Sequence, residues 1–164
     1  MHYVGRGGIS SFAISAVDIA LWDLRGKKNS KSLLTMAGGN NVSCKAYRGG
    51  IDLGYNQTKL VDSVSSYLDE GFNAVKIKVG HPDLSTDISR VQAVRHAIGP
   101  ETVFMVDANY SYSVKQAINA AKRFEDYNIH WFEEPIIPDD FMGYADVSKS
   151  INICLLYTSD AADE

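Results

Sequence analysis

Several absences narrow the field before any motif is considered. Only two cysteines, Cys44 and Cys154, occur in 164 residues. That is too few for a disulfide framework or a zinc site, so both read as buried free thiols. No run of Lys or Arg exists and the formal charge is −4, which argues against nucleic acid or a membrane surface as partner, since both require concentrated positive charge. No apolar stretch reaches the roughly 18 residues of a membrane span, and the first residues lack the basic-then-apolar order of a signal peptide, so a cytoplasmic location is expected. What remains is an ordinary globular composition, 45% hydrophobic and 22% charged, able to bury a sizeable core and to meet small anions wherever positive charge is local.

Hydrophobic spacing organises the chain. Phe12, Ala13, Ala16, Val17, Ala20, Leu21 and Leu24 recur at helical period, with Ser10 and Ser11 as possible N-caps and Gly26 as a stop. A polar connector with Leu33, Leu34 and Met36 follows. From residue 42 the pattern becomes strand, helix, strand, helix: strands over 42–47, 74–79, 103–107 and 131–133, helices over 57–70, 84–98, 114–127 and weakly 140–150, then an apolar run at 151–156. Repeated βα units imply a parallel sheet. No glycine-rich phosphate loop follows the first strand, and polar residues end successive strands, which favours a barrel, where strand ends converge, over an open sheet. A complete barrel takes about 250 residues. The expectation is therefore α/β, a partial TIM-type (β/α) barrel of about four units, whose first and last strands are edges.

The strand Ala74-Val75-Lys76-Ile77-Lys78-Val79 sets the chemistry. Alternation sends Val75, Ile77 and Val79 to one face and both lysines to the other. Buried ammonium groups need opposing charge, and Asp107 and Glu133, at the ends of the next two strands, can supply it. Two inward carboxylates with Asn109 just beyond begin an all-oxygen site suited to Mg²⁺, with Glu134 facing away. Alternatively, these acids only neutralise the lysines in a buried ion network. A metal beside two adjacent lysines would lower their pKa values and leave one neutral as a base, which implies proton abstraction next to a carboxylate held by the metal. Tyr47 and Arg48 could read substrate hydroxyls. His81 reads as a solvated loop histidine, and His130 and Trp131 as strand packing.

The motifs Lys76-Ile77-Lys78, Val106-Asp107-Ala108-Asn109 and Phe132-Glu133-Glu134-Pro135, with the upstream Ala20-Leu21-Trp22-Asp23-Leu24-Arg25-Gly26-Lys27, resemble the mandelate racemase subgroup of the enolase superfamily. The resemblance implies the first part of a modified (β/α)7β barrel, preceded by the last helix of a capping domain, with Mg²⁺ as cofactor. It implies Lys78 as general base, Lys76 as the neighbour that tunes it and contacts the substrate carboxylate, Asp107 and Glu133 as two of three metal ligands, and Asn109 as a substrate contact. The surroundings of Lys78 and the run Ala46-Tyr47-Arg48-Gly49-Gly50 look most similar to acid-sugar dehydratases. These are lyases that remove the α-proton of an aldonate or aldarate and eliminate the β-hydroxyl. Their full-length forms are expected to be homo-oligomers.

The chain also departs from that pattern. The step between the two ligands is 133 − 107 = 26 residues, and 133 + 26 = 159 is Ser159, where the family places a third glutamate. Asp160 and Glu164 are poor substitutes. The division expected is therefore 1–41 as capping-domain remnant and connector, 42–153 as the first half of the barrel, and 154–164 as a non-native tail. A racemase or epimerase of the same superfamily is the nearest alternative. An inert half-barrel with a structural polar cluster is the alternative outside it.

Overall fold

The computed structural model describes residues 8–40 and 43–156. The chain divides into two compact units, 1–45 and 46–164, a few residues after the expected boundary at 41.

In the first unit, helix α1 spans Gly8–Asn29 and a one-turn helix α2 spans Leu33–Met36. The helix starts before Ser10 and runs through Gly26, which is buried and close to the chain that follows: a Cβ there would lie 3.0 Å from the Lys31 carbonyl oxygen. The true stop is Ser30, at φ 50°. Around it Ser30 N–H donates to Lys27 O (3.2 Å) and Lys31 N–H to Gly26 O (3.0 Å), the paired bonds of a Schellman end. Phe12, Val17, Leu21 and Leu24 are exposed among the described residues.

The second unit is a five-stranded parallel sheet in the order β1-β2-β3-β4-β5. Its strands are β1 (Arg48–Gly49), β2 (Ala74–Lys78), β3 (Val103–Asp107), β4 (Ile129–Glu133) and β5 (Cys154–Leu156). Between them run α3 (Gln57–Asp69), α4 (Leu84–Ile98), α5 (Val114–Phe124), followed by a 3-10 turn at Glu125–Tyr127, and α6 (Phe141–Ser150). Strand order follows chain order without reversal, and neighbouring helices pack in the same sequence. That is the arc of a (β/α) barrel rather than a doubly wound sheet. Val75, Ile77, Val79, Phe104, Val106 and Phe132 form the core with Leu60, Val64, Val91, Val94, Ala117 and Phe124 of the helices. Lys76 and Lys78 alternate with Val75 and Ile77 and so point to the sheet face opposite this core.

Differences from the expected elements have local causes. The first strand, expected over 42–47, is instead the two residues Arg48–Gly49, opposite Val75 and Lys76, and the described residues 43–47 are not strand. In β4 the register slips by one residue, Phe104 facing Ile129 but Val106 facing Phe132. That bulge lets Ile129 and Phe132 both enter the core while Trp131 and Glu133 stay on the opposite face, and it hides the strand's first half from a period-two reading. Cys154–Leu156 pairs with β4, so the sheet extends past Ile153; residues 157–164, the rest of the expected tail, lie outside the described part. Neither cysteine is buried; both are exposed free thiols. Among the described residues no helix is long and apolar enough to cross a membrane.

Candidate active site

The parallel register places Lys78 beside Asp107 and Asp107 beside Glu133, at the C-terminal ends of three adjacent strands. Lys78 Nζ donates to Asp107 Oδ2 at 2.6 Å. Lys76 Nζ, from two residues lower, reaches up to Glu133 Oε2 at 2.6 Å and lies 3.5 Å from Asp107 Oδ2. Two ammonium groups and two carboxylates thus form one chain of contacts, with the Asp107 side chain only 3% exposed. Such an ensemble is tolerable because each charge is paired.

Burial alone would depress the Lys76 ammonium, but the hydrogen bond and charge of Glu133, with Asp107 behind, hold its pKa above the ordinary value.

Two further residues belong to the cluster. Trp131 Nε1 donates to Glu133 Oε2 at 3.1 Å, so this side chain orients a carboxylate instead of only filling space. Tyr47 stacks edge-on against Trp131, centroids 5.6 Å apart, with Lys76 Nζ 5.2 Å above its ring. The signal for Trp131 was its two-residue spacing from Glu133. Arg48 is not at the site: its guanidinium lies over Tyr67 and Phe72. His81 is not a free loop histidine either, since Nδ1 lies 2.7 Å from Asp87 Oδ1.

Asn109 stands at the exposed rim. Its backbone N–H donates to Asp107 Oδ1 (3.0 Å) and its Nδ2 to Glu134 Oε2 (3.4 Å). Asn109, Tyr110 and Glu134 all adopt left-handed backbone, φ 43°, 62° and 42°, a conformation disfavoured for residues with side chains and concentrated where function fixes the backbone. Tyr110 N–H donates to Glu134 O at 2.7 Å, tying the two strand-end loops together.

Whether these residues suit a divalent cation is answered by their donor set. Asp107 Oδ2 and Glu133 Oε2 converge on a cation already, the Lys76 ammonium, and hard anionic oxygens are what Mg²⁺ takes. Two carboxylates make part of a coordination shell. Among the described residues no group of three or more His, Cys, Asp and Glu could hold a metal ion, and Ser159, the expected position of a third ligand, lies outside them.

The model of the enolase C-terminal domain-like family matches residues 59–158. This chain belongs to that family. Over 149 residues the family member is 46% identical to 3,6-anhydro-alpha-L-galactonate cycloisomerase of Streptomyces coelicolor, covering 91% of this chain and 41% of the relative. Among solved structures, a racemase from Streptomyces coelicolor A3(2) with bound magnesium superposes with a TM-score of 0.88 at 43% identity, over 94% of this chain and 43% of that one. L-talarate dehydratase from Polaromonas sp. JS666, complexed with Mg and L-glucarate, gives 0.80 at 36% identity, over 92% and 43%. The chain therefore spans about two fifths of the length of the relatives it matches. Those relatives are enzymes by name, and the resemblance to the mandelate racemase-like enolase superfamily, with its acid-sugar dehydratases, stands.

Proposed function

We propose that this chain supplies the base and part of the metal site of an enzyme that removes the proton α to the carboxylate of a sugar acid. The observation that carries the reading is the meeting of Lys76, Lys78, Asp107 and Glu133 at the ends of three adjacent strands, with every ammonium on a carboxylate. Lys78 acts as its neutral amine, taking the α-proton at Nζ and becoming the ammonium. Lys76, kept protonated by Glu133 and Asp107, holds the substrate carboxylate and tunes Lys78 through its positive charge. Asn109 at the rim contacts a substrate hydroxyl. Asp107 and Glu133 would hold Mg²⁺, which supplies charge neutralisation for a substrate carboxylate and for the enediolate that follows proton loss.

Dehydration is the favoured outcome: the β-hydroxyl departs as water and leaves a 2-keto-3-deoxy acid. Cycloisomerisation begins with the same proton transfer and is favoured as second reading by the 46% identity to the Streptomyces coelicolor cycloisomerase. Replacing the matching segment of that relative with residues 46–156 gives an enzyme in which both can be tested with a panel of aldonates, aldarates and their anhydro and lactone forms in D₂O. A 2-keto product supports dehydration. A ring-opened or ring-closed isomer carrying deuterium supports cycloisomerisation, and deuterium at the α-carbon alone supports a racemase. Lys78→Ala in this chimera should lower turnover by about 10²–10⁴-fold, the scale of general base catalysis. Undiminished turnover and exchange in that variant would remove Lys78 from its role.

A further inference from the structure

Strand β1 ends at Gly49, opposite Lys76, so among the described residues Lys78 has no strand partner on that side. Side chains take the strand's place. Lys78 N–H donates to Asp52 Oδ1 at 2.9 Å, and Lys78 O accepts from Arg90 Nη2 at 3.3 Å. The same Nη2 donates to Asp52 Oδ1 (3.0 Å) and to Asp52 O (2.9 Å), while Arg90 Nη1 donates to Tyr55 O (2.8 Å). Asp52 and Arg90 are each 3% exposed.

We infer that the buried Asp52–Arg90 pair is a positioning clamp for Lys78, standing in for a missing strand and fixing the backbone from which the base projects. The inference rests on the reading of Lys78 as base. An ion pair at this depth is a poor stabiliser, because desolvation offsets most of the attraction, and Arg90 Nε has no hydrogen-bond partner among the described residues. Desolvation also pushes the Asp52 carboxyl up and the Arg90 guanidinium down. A well-packed apolar pair would hold the helix to the sheet at least as well, but it could neither accept the Lys78 N–H nor donate to the Lys78 carbonyl.

Amide hydrogen exchange on the chain itself tests this without any substrate. Asp52→Ala should raise exchange at the Lys78 amide by at least about tenfold through local opening, with Val75, Ile77 and Met105 amides within about twofold of the parent. Asp52→Asn, which keeps an acceptor oxygen in place, should restore Lys78 protection to within about threefold. A rise spread evenly over the sheet, or Asp52→Asn as damaging as Asp52→Ala, would show a general stabilising role and overturn the clamp. Should Asp52→Ala not fold, scalar coupling across the hydrogen bond from the Lys78 amide nitrogen to the Asp52 carboxyl carbon in the unaltered chain decides: its detection supports the clamp and its absence overturns it. These measurements are independent of the isotope-exchange assay for the base, so either reading can fail while the other is judged separately.

Discussion

Asp87, fully buried at the start of α4, offers a sharp test of the polar packing beneath the site. Its Oδ2 accepts from Gly80 N (3.0 Å), His81 N (2.9 Å) and the Tyr112 hydroxyl (2.6 Å), and its Oδ1 meets His81 Nδ1 at 2.7 Å. Removing the tyrosine hydroxyl and removing the carboxylate should have unequal effects. Tyr112→Phe deletes one bond to a charged group, worth about 1.5–3 kcal/mol, and the carboxylate keeps its other three partners, so the lower end, about 1.5 kcal/mol, applies. Asp87→Ala leaves a buried hydroxyl (Tyr112 is 7% exposed) and two half-buried amides without an acceptor. At about 1–3 kcal/mol for the hydroxyl and less for amides that water can reach, the total is about 3–5 kcal/mol. The double variant carries no orphaned hydroxyl and should be about 1 kcal/mol more stable than Asp87→Ala alone. Urea denaturation followed by tryptophan fluorescence reads all three. Additive losses, with the double variant the least stable, would refute the reasoning, because they would mean that Tyr112 contributes by packing and not through this bond.

Two other outcomes follow from nearby geometry. Gly80 sits at φ +114°, where a Cβ would lie 2.7 Å from the Ser111 side chain, so Gly80→Ala should destabilise by about 1–3 kcal/mol and shift the Lys78 amide resonance; a neutral effect would show that this turn can relax. Burial, with the Glu134 carboxylate nearby, pushes the Tyr144 hydroxyl up to about 12. Its folded pKa exceeds the unfolded value near 10, so the associated stability is complete below pH 10 and is lost as pH rises from 10 towards 12. Denaturation midpoints across that range should fall, and Tyr144→Phe should flatten the fall.

Much of the barrel arc was legible because its physical causes are local. Strand β2 follows period two, with Val75 and Ile77 buried between partly exposed neighbours, β3 is a short apolar run buried from Phe104 to Asp107, and α4 is bounded by Asp83, whose carboxylate accepts from Ser85 N, and by Gly99. The four central site residues were legible too, since alternation and strand-end placement decide which way Lys76, Lys78, Asp107 and Glu133 face. What escaped the sequence depends on contacts distant along the chain. Asp52, Arg90 and Asp87 look like surface charges until the fold buries them. The bulge at His130 and Trp131 is visible only against the register of β3. The position of β1 is set by its pairing with Val75 and Lys76, not by the apolar residues before it. Gly26, read as a helix stop, is a contact point for the chain that follows α1.

The left-handed trio of Asn109, Tyr110 and Glu134 has a consequence for redesign. Each strand-end loop is held in a disfavoured backbone by the other, through Tyr110 N–H to Glu134 O, and the second is held in turn by Glu134 N–H to Leu156 O, both at 2.7 Å. Neither loop has its conformation as a private property. An exchange of the segment after β3 alone, intended to alter what the rim of the site recognises, would release the segment after β4 as well. The two loops form a single exchangeable cassette with β5 as its anchor, and variation in what the rim contacts is expected to come as paired changes across Asn109 and Glu134.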